Sequence, residues 1–365
     1  MTDNADRPDR EVSQSSTRVR FPRISPRAYE HPADRGAMAT LRAAPGVAEV
    51  LKAVSGLFAE RGERLLTLAS AIRVGEKQYP KIDRLRLECA EVLDLDTVPN
   101  VFVQRDPNAN AMTVGIDEPF IVLTTGLVEA LDSESLRFVV GHEMGHVLSG
   151  HAVLRTLLLR LVHLQMTIAF LPAGALAMRA AIAALREWFR KAELTCDRAG
   201  LLCGQDPAAA LRTHVYLAGG TDLTQIDIPS FLQQAKEYED VEDIRDSIHK
   251  LRTVEGMSHP FAVVRAAQLQ RWAASEEYRA ILAGDYRRRD DEAPGSTFSD
   301  DMRSAAKSYK ESFAASTDPL ARALNDVGEA LSGAAGKVFS RFGGGGGGAG
   351  GGDAPRPDDA GAGKN

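Results

Sequence analysis

Disulfide bonding, export and nucleic-acid binding each leave marks that this sequence has little of. Cysteine occurs three times in 365 residues, at Cys89, Cys196 and Cys203. The number is odd and no C-x-x-C occurs, which argues against a disulfide framework and fits a reducing compartment. The stretch from Met1 to about Pro32 is rich in Arg, Asp, Ser and Pro and has no apolar h-region, so no secretory signal is expected and the segment reads as disordered. Lys and Arg number 44 against 50 Asp and Glu, a net charge of −6, which speaks against nucleic acid as a partner. With 44% hydrophobic and 26% charged residues the composition is that of a globular protein with extensions.

Histidine is also scarce, eight residues in all, yet two of them stand in His142-Glu143-Met144-Gly145-His146. A chance H-E-x-x-H in such a chain has a probability on the order of one per cent. Apolar residues at 136, 139, 140, 147 and 148 repeat at helical spacing around it. On that helix His142 and His146 lie one turn apart on one face, where two imidazoles can bind one Zn²⁺, and Glu143 can reach a water beside it. A buried helix rarely accepts two His and a Glu without a metal to satisfy them.

Two histidines leave tetrahedral zinc short of a protein ligand. A third His six residues on from the second is absent: Ser149 and Ala152 stand where H-E-x-x-H-x-x-G-x-x-H needs Gly and His, and His151 is out of step and reads as a helix-end residue. Downstream, Glu193 and Asp197 are four apart on one helical face, so that one carboxylate can bind zinc while the other accepts the free N–H of a ligating imidazole.

These residues resemble the gluzincin metallopeptidases of the metallopeptidase-48 family, which include the heat-shock protease HtpX and the CAAX prenyl proteases. Glu193-Leu194-Thr195-Cys196-Asp197 resembles the family's E-x-x-A-D, with Cys196 in place of the commoner Ala as a small buried residue. Asn110-Ala111-Met112-Thr113-Val114-Gly115 resembles its N-A-F-x-x-G strand, and Ser258-His259-Pro260 with Arg265 its S-H-P…R segment. The resemblance runs from about residue 75 to 285. It implies Glu193 as the third zinc ligand with Asp197 bonded behind an imidazole; the competing carboxylate in the sequence is Glu187, six residues earlier and off that helical face. It implies His259 and Arg265 as stabilisers of the oxyanion. The strand Asn110, Ala111, Met112 is then the one on which substrate adds.

Patterning places helices over Leu41–Val74, broken at Tyr79-Pro80, and over Asp83–Leu93. Strands are expected at Asn100–Gln104, Ala111–Ile116 and Phe120–Thr124, with turns between them, and an Asp132 cap opens the zinc helix. The expected fold is α+β and mainly helical, a zincin-like domain with a small antiparallel sheet beside the zinc helix and flexible termini. The expected division is a disordered segment 1–35 and a metallopeptidase domain 36–286 (lead-in 36–95, core 96–286). A linker with an amphipathic helix, 287–342, and a Gly-rich tail, 343–365, complete it. Residues 161–178 carry no formal charge. As a helix they would span roughly 27 Å, just under the ~30 Å of a bilayer core. The favoured reading is a hairpin turning at Leu171-Pro172-Ala173-Gly174 and packed on the domain; peripheral membrane contact through 161–178 or 320–342 stays open.

The expected activity is zinc-dependent endopeptidase cleavage of extended or unfolded polypeptide, as in protein quality control, with one zinc per chain and Glu143 as general base. The site of action is expected to be cytoplasmic, with or without membrane association. The alternatives are a membrane-associated processing protease and a metal-binding scaffold without proteolysis.

Overall fold

A computed structural model of the chain describes residues 18–43, 60–167, 172–239 and 261–291. The segments of period two form β2 (Val101–Gln104), β3 (Ala111–Val114) and β4 (Phe120–Thr124), joined by the two-residue β1 (Ile72–Arg73). Strand order is β1-β2-β4-β3. β1 pairs antiparallel with β2, and β3 with β4, but β2 and β4 run parallel with Val101 opposite Ile121 and Val103 opposite Leu123. The sheet is therefore mixed rather than wholly antiparallel. The chain passes β4's position to lay down β3 and returns through a hairpin, so β3 becomes an edge strand. Ala111, Val101, Val103, Ile121 and Leu123 face the main core, while Phe102, Phe120 and Val122 pack together on the other face.

The rest is helical. In the lead-in, α1 (Pro32–Ala43), α2 (Glu60–Ser70) and α3 (Pro80–Val92) precede or flank the sheet. After β4 come the short α4 (Thr125–Ala130) and α5 (Ser133–Leu148), then α6 (His151–Thr167) and the long α7 (Pro172–Gly204). The chain continues through α8 (Pro207–Leu217), α9 (Ile228–Glu239), α10 (Ala262–Ala273) and α11 (Glu276–Leu282). α5 is the centre of the domain: every residue from Ser135 to His146 is buried, which is why its apolar pattern covers more than one face. Its start is fixed by the Asp132 carboxylate, which accepts from the Ser135 N–H at 2.8 Å. α6 and α7 pack on one another through Leu157, Leu161, Ile182, Leu185 and Trp188, with Ala37 of α1 completing that cluster. Of the turn expected at 171–174, Leu171 lies outside the described residues, as do 168–170, 44–59 and the 320–342 stripe, and residues 172–174 begin α7. No helix among the described residues is long and apolar enough to cross a membrane.

The N-terminal boundary needs correcting. From Arg18 onward the segment expected to be disordered is part of the core, with Phe21, Ile24 and Tyr29 fully buried. At the other end the fold reaches past 286: Ile24 bridges Arg288, and Arg289 donates to the Asp94 carbonyl at 2.6 Å. The polar composition of residues 18–31 hides three large apolar side chains, spaced without a regular period, and burial of these orders the segment.

Candidate active site

α5 brings His142 and His146 to one side, and α7 lies across it carrying Glu193. Glu193 Oε2 is 3.5 Å from His142 Nε2 and Oε1 is 3.2 Å from His146 Nε2, all three residues being buried. Their ligand atoms lie within 4.8 Å of one another. His146, fully buried, makes no hydrogen bond at either ring nitrogen among the described residues. Burial holds its imidazole down at about 4, only partly offset by Glu193 and Glu143. A neutral, buried imidazole converging with a carboxylate and a second imidazole is a donor set suited to a divalent cation, and two N donors with one O donor suit a catalytic zinc site. The residues fit the metal.

The two helices meet closely because their facing residues are small. A Cβ at Gly145 would lie 2.7 Å from the Ala199 Cβ and 3.2 Å from the Cys196 Cα, and one at Gly141 2.5 Å from the Cys203 Cβ. Cys196, fully buried, packs into this seam. Burial, with Glu193 and Asp34 nearby, pushes its thiol well above the usual range. Its Sγ is 3.5 Å from His151 Nδ1, while His151 Nε2 is 3.3 Å from Asp34 Oδ2. His151 thus starts α6 as a buried residue tied to α1, outside the His142, His146, Glu193 group, although His151 and Cys196 form a second cluster with His146.

Asp197, one turn beyond Glu193, lies 3.0 Å from His142 Nδ1. Arg265, in the first turn of α10, donates through Nε to Asp197 Oδ2 at 2.8 Å and through Nη2 to Oδ1 at 2.6 Å. Its Nη1 is 2.9 Å from Glu193 Oε2. His214 of α8 approaches from the remaining side, Nε2 to Oδ2 at 3.3 Å, with its Nδ1 donating to the Ala210 carbonyl at 2.8 Å. Burial alone would raise the Asp197 carboxyl, but the charges of Arg265 and His214 hold it well below the usual carboxylate range. Burial would likewise lower His142, yet Asp197 and Glu193 outweigh it and raise that imidazole to about 9. A carboxylate bonded behind an imidazole fixes the ring's tautomer and orientation.

Glu143 is fully buried against the edge strand. Its Oε2 accepts from the Thr113 hydroxyl at 2.6 Å and lies 3.8 Å from Arg155 Nη1. The Arg155 guanidinium sits over Phe189, whose ring stacks on His146. Neither Thr113, Arg155 nor His214 was anticipated. Thr113 lies at an unspecified position of the N-A-F-x-x-G-like strand and the other two in unremarkable stretches, and only the packing of β3, α6 and α8 on α5 and α7 brings them in.

Of the anticipated residues, the structure gathers His142, Glu143, His146, Glu193, Asp197 and Arg265 and sets Ala111 and Met112 in β3, with Asn110 just before it. Arg265, expected near the oxyanion, is buried with its guanidinium engaged with Glu193 and Asp197 of α7. His259 and the side chain of Glu187 lie outside the described residues.

Residues 76–273 match the model of peptidase family M48. The chain belongs to peptidase family M48. It is a metalloprotease, a hydrolase of peptide bonds that requires a metal ion. It is 35% identical over 261 residues to the plastoglobule-localized metallopeptidase 48, chloroplastic, of Arabidopsis thaliana, covering 70% of this chain and 74% of that one. It is 32% identical over 100 residues to a protease HtpX homolog of Streptococcus pyogenes, 27% of this chain and 33% of the other. No solved structure matches.

Proposed function

We propose that this M48 metallopeptidase is a zinc endopeptidase acting on extended or unfolded polypeptide, with one zinc per chain held by His142, His146 and Glu193. The supporting observation is the convergence of those three donors beside a buried glutamate and the last strand of the sheet. When bound, the ion supplies Lewis acidity that polarises a carbonyl and acidifies water. Glu143 accepts the attacking water's proton and returns it to the leaving amine. Asp197 orients His142, and Arg265 orients Asp197 and Glu193 together. The edge of β3 receives the substrate as an antiparallel strand through main-chain hydrogen bonds, which favours extended segments over particular side chains. The substrate's place in protein quality control is part of the same proposal, as is action in the cytoplasm. Fractionation with an alkaline wash tests membrane contact through 161–178 or 320–342.

The test is Glu143→Gln. Purified wild type should carry about one equivalent of zinc and lose casein hydrolysis on chelation. The variant should keep the zinc while turnover falls by roughly 10² to 10⁴. Near-normal proteolysis by Glu143→Gln would assign the base elsewhere.

A further inference from the structure

Thr113 is fully buried on the edge strand, and its hydroxyl is 2.6 Å from Glu143 Oε2 and 3.0 Å from the Glu143 carbonyl oxygen. Its side chain points to the same face as Ala111, towards α5, while its main chain belongs to the strand edge. The Thr124 N–H donates to the Asn110 carbonyl at 3.0 Å. By the alternation of an antiparallel ladder, Met112 and Val114 then bond inward to β4, and Ala111 and Thr113 turn their N–H and C=O groups away from β4. Thr113 therefore turns its backbone polar groups away from β4 while its hydroxyl lies on the carboxylate that flanks the metal ligands. The far end of the strand is pinned, since the Gly115 N–H donates to the Thr156 hydroxyl of α6 at 3.0 Å.

We propose that Thr113 is a positioning residue for hydrolysis: its hydroxyl holds the Glu143 carboxylate in register with the strand edge that receives the substrate backbone. The inference rests on the reading of Glu143 as general base and of β3 as the substrate strand. Its physical content is geometric. A glutamate side chain has several rotamers, and a short hydrogen bond to an ionised carboxylate selects one of them. An edge strand that carries that bond moves the base and the bound substrate together, whereas a hydroxyl on a separate loop would not. Arg155, 3.8 Å from the same oxygen, adds charge on that side.

Thr113→Val removes the hydroxyl at nearly constant volume, and Thr113→Ser retains it. With a fluorogenic peptide, Thr113→Val should lower kcat by about 10- to 100-fold, the range for loss of one hydrogen bond to a charged group. KM should stay within about threefold, because the main-chain groups that bind substrate remain. Zinc content should stay at the wild-type equivalent, and Thr113→Ser should recover most of the rate. On a Glu143→Gln background Thr113→Val should cause little further loss, since both act through one carboxylate. If Thr113→Val loses its zinc or its cooperative unfolding, Thr113→Ala gives the same comparison without the β-branch. Wild-type kcat in a folded, hydroxyl-free variant overturns the inference, as does a loss that Ser fails to rescue or one that is fully additive with Glu143→Gln. Near-normal activity of Glu143→Gln alone overturns the underlying reading of the base instead, so the two failures are told apart.

Discussion

At the scale of single residues the site is organised around one carboxylate. Asp197 takes two bonds from Arg265 and one from His142 and is faced by His214, so a buried charge that would be costly alone is compensated on every side. Glu193 has the other task, with an oxygen towards each imidazole of α5. Replacing the two should therefore have unequal effects. Glu193→Ala should abolish stoichiometric zinc binding, whereas Asp197→Ala should weaken it by roughly 10- to 100-fold, as loss of an imidazole's outer partner does. Zinc content by elemental analysis decides this, with Glu187→Ala as the control. A zinc-free Glu187 variant beside a zinc-replete Glu193 variant would reverse the ligand set. Arg265→Gln should lower stability by about 3–5 kcal/mol, because it strips the cation from a buried pair. Denaturant unfolding of the metal-free protein reads that loss, and a change below about 1 kcal/mol would show Arg265 to be dispensable to the carboxylates.

At the scale of elements the decisive contact is α5 on α7. Glycine within a helix normally costs stability, and alanine in its place gains about 1 kcal/mol. Here the sign should reverse. Gly145 stands between Glu143 and His146, and a Cβ there would meet Ala199 and the backbone of Cys196 rather than a flexible side-chain end. Gly145→Ala should therefore destabilise the fold by about 1–3 kcal/mol. It should also weaken zinc binding, since any outward shift of α7 carries Glu193 away from both imidazoles. Stability and zinc affinity measured together test this, and a stabilised variant with unchanged affinity would mean that the seam has slack. β3 makes the complementary contribution: the crossover that puts it at the sheet edge also lays Thr113 on Glu143.

For the whole molecule, the N-terminal segment is a strap over the back of the site. The backbone N–H of His31 donates to the Thr195 hydroxyl at 3.1 Å, and that hydroxyl donates to Asp34 Oδ2 at 2.6 Å. His31 Nδ1 accepts from the Ala33 N–H at 3.1 Å, which requires a neutral ring. Burial, helped by the charges of Arg198 and Lys191 and opposed by Asp34, lowers its pKa from 6.5 to about 4. Between those values the unfolded chain binds a proton that the folded chain does not, so stability should fall as pH drops from about 6.5 to about 4. His31→Asn offers an acceptor that does not titrate and should flatten that part of the profile in the metal-free protein, as read by thermal unfolding at each pH. An unchanged slope would shift the effect to other groups such as His146, which is lowered in the same direction. Deleting the chain through Tyr29 should destabilise the domain severely by exposing Phe21, Ile24 and Tyr29. Deleting Gly343 onward should leave peptide hydrolysis unchanged, because polyglycine buries too little to order itself.

The spacing of His142, Glu143 and His146 and the four-residue step from Glu193 to Asp197 made the site and its helices legible in the sequence alone. Local periodicity places such side chains on one face whatever the rest of the chain does, and it likewise marked the three strands and the Asp132 cap. What local pattern does not encode is which elements meet. The parallel pairing of β2 with β4, the burial of residues 18–31 and the engagement of Arg265 with two carboxylates all depend on contacts between segments far apart in the chain. So do the arrival of Thr113, Arg155 and His214 at the site and the intolerance of Gly145 to a methyl group. Close packing in three dimensions decided these, because a buried charge or a close helix approach is stable only where a distant segment supplies the matching group or leaves the room.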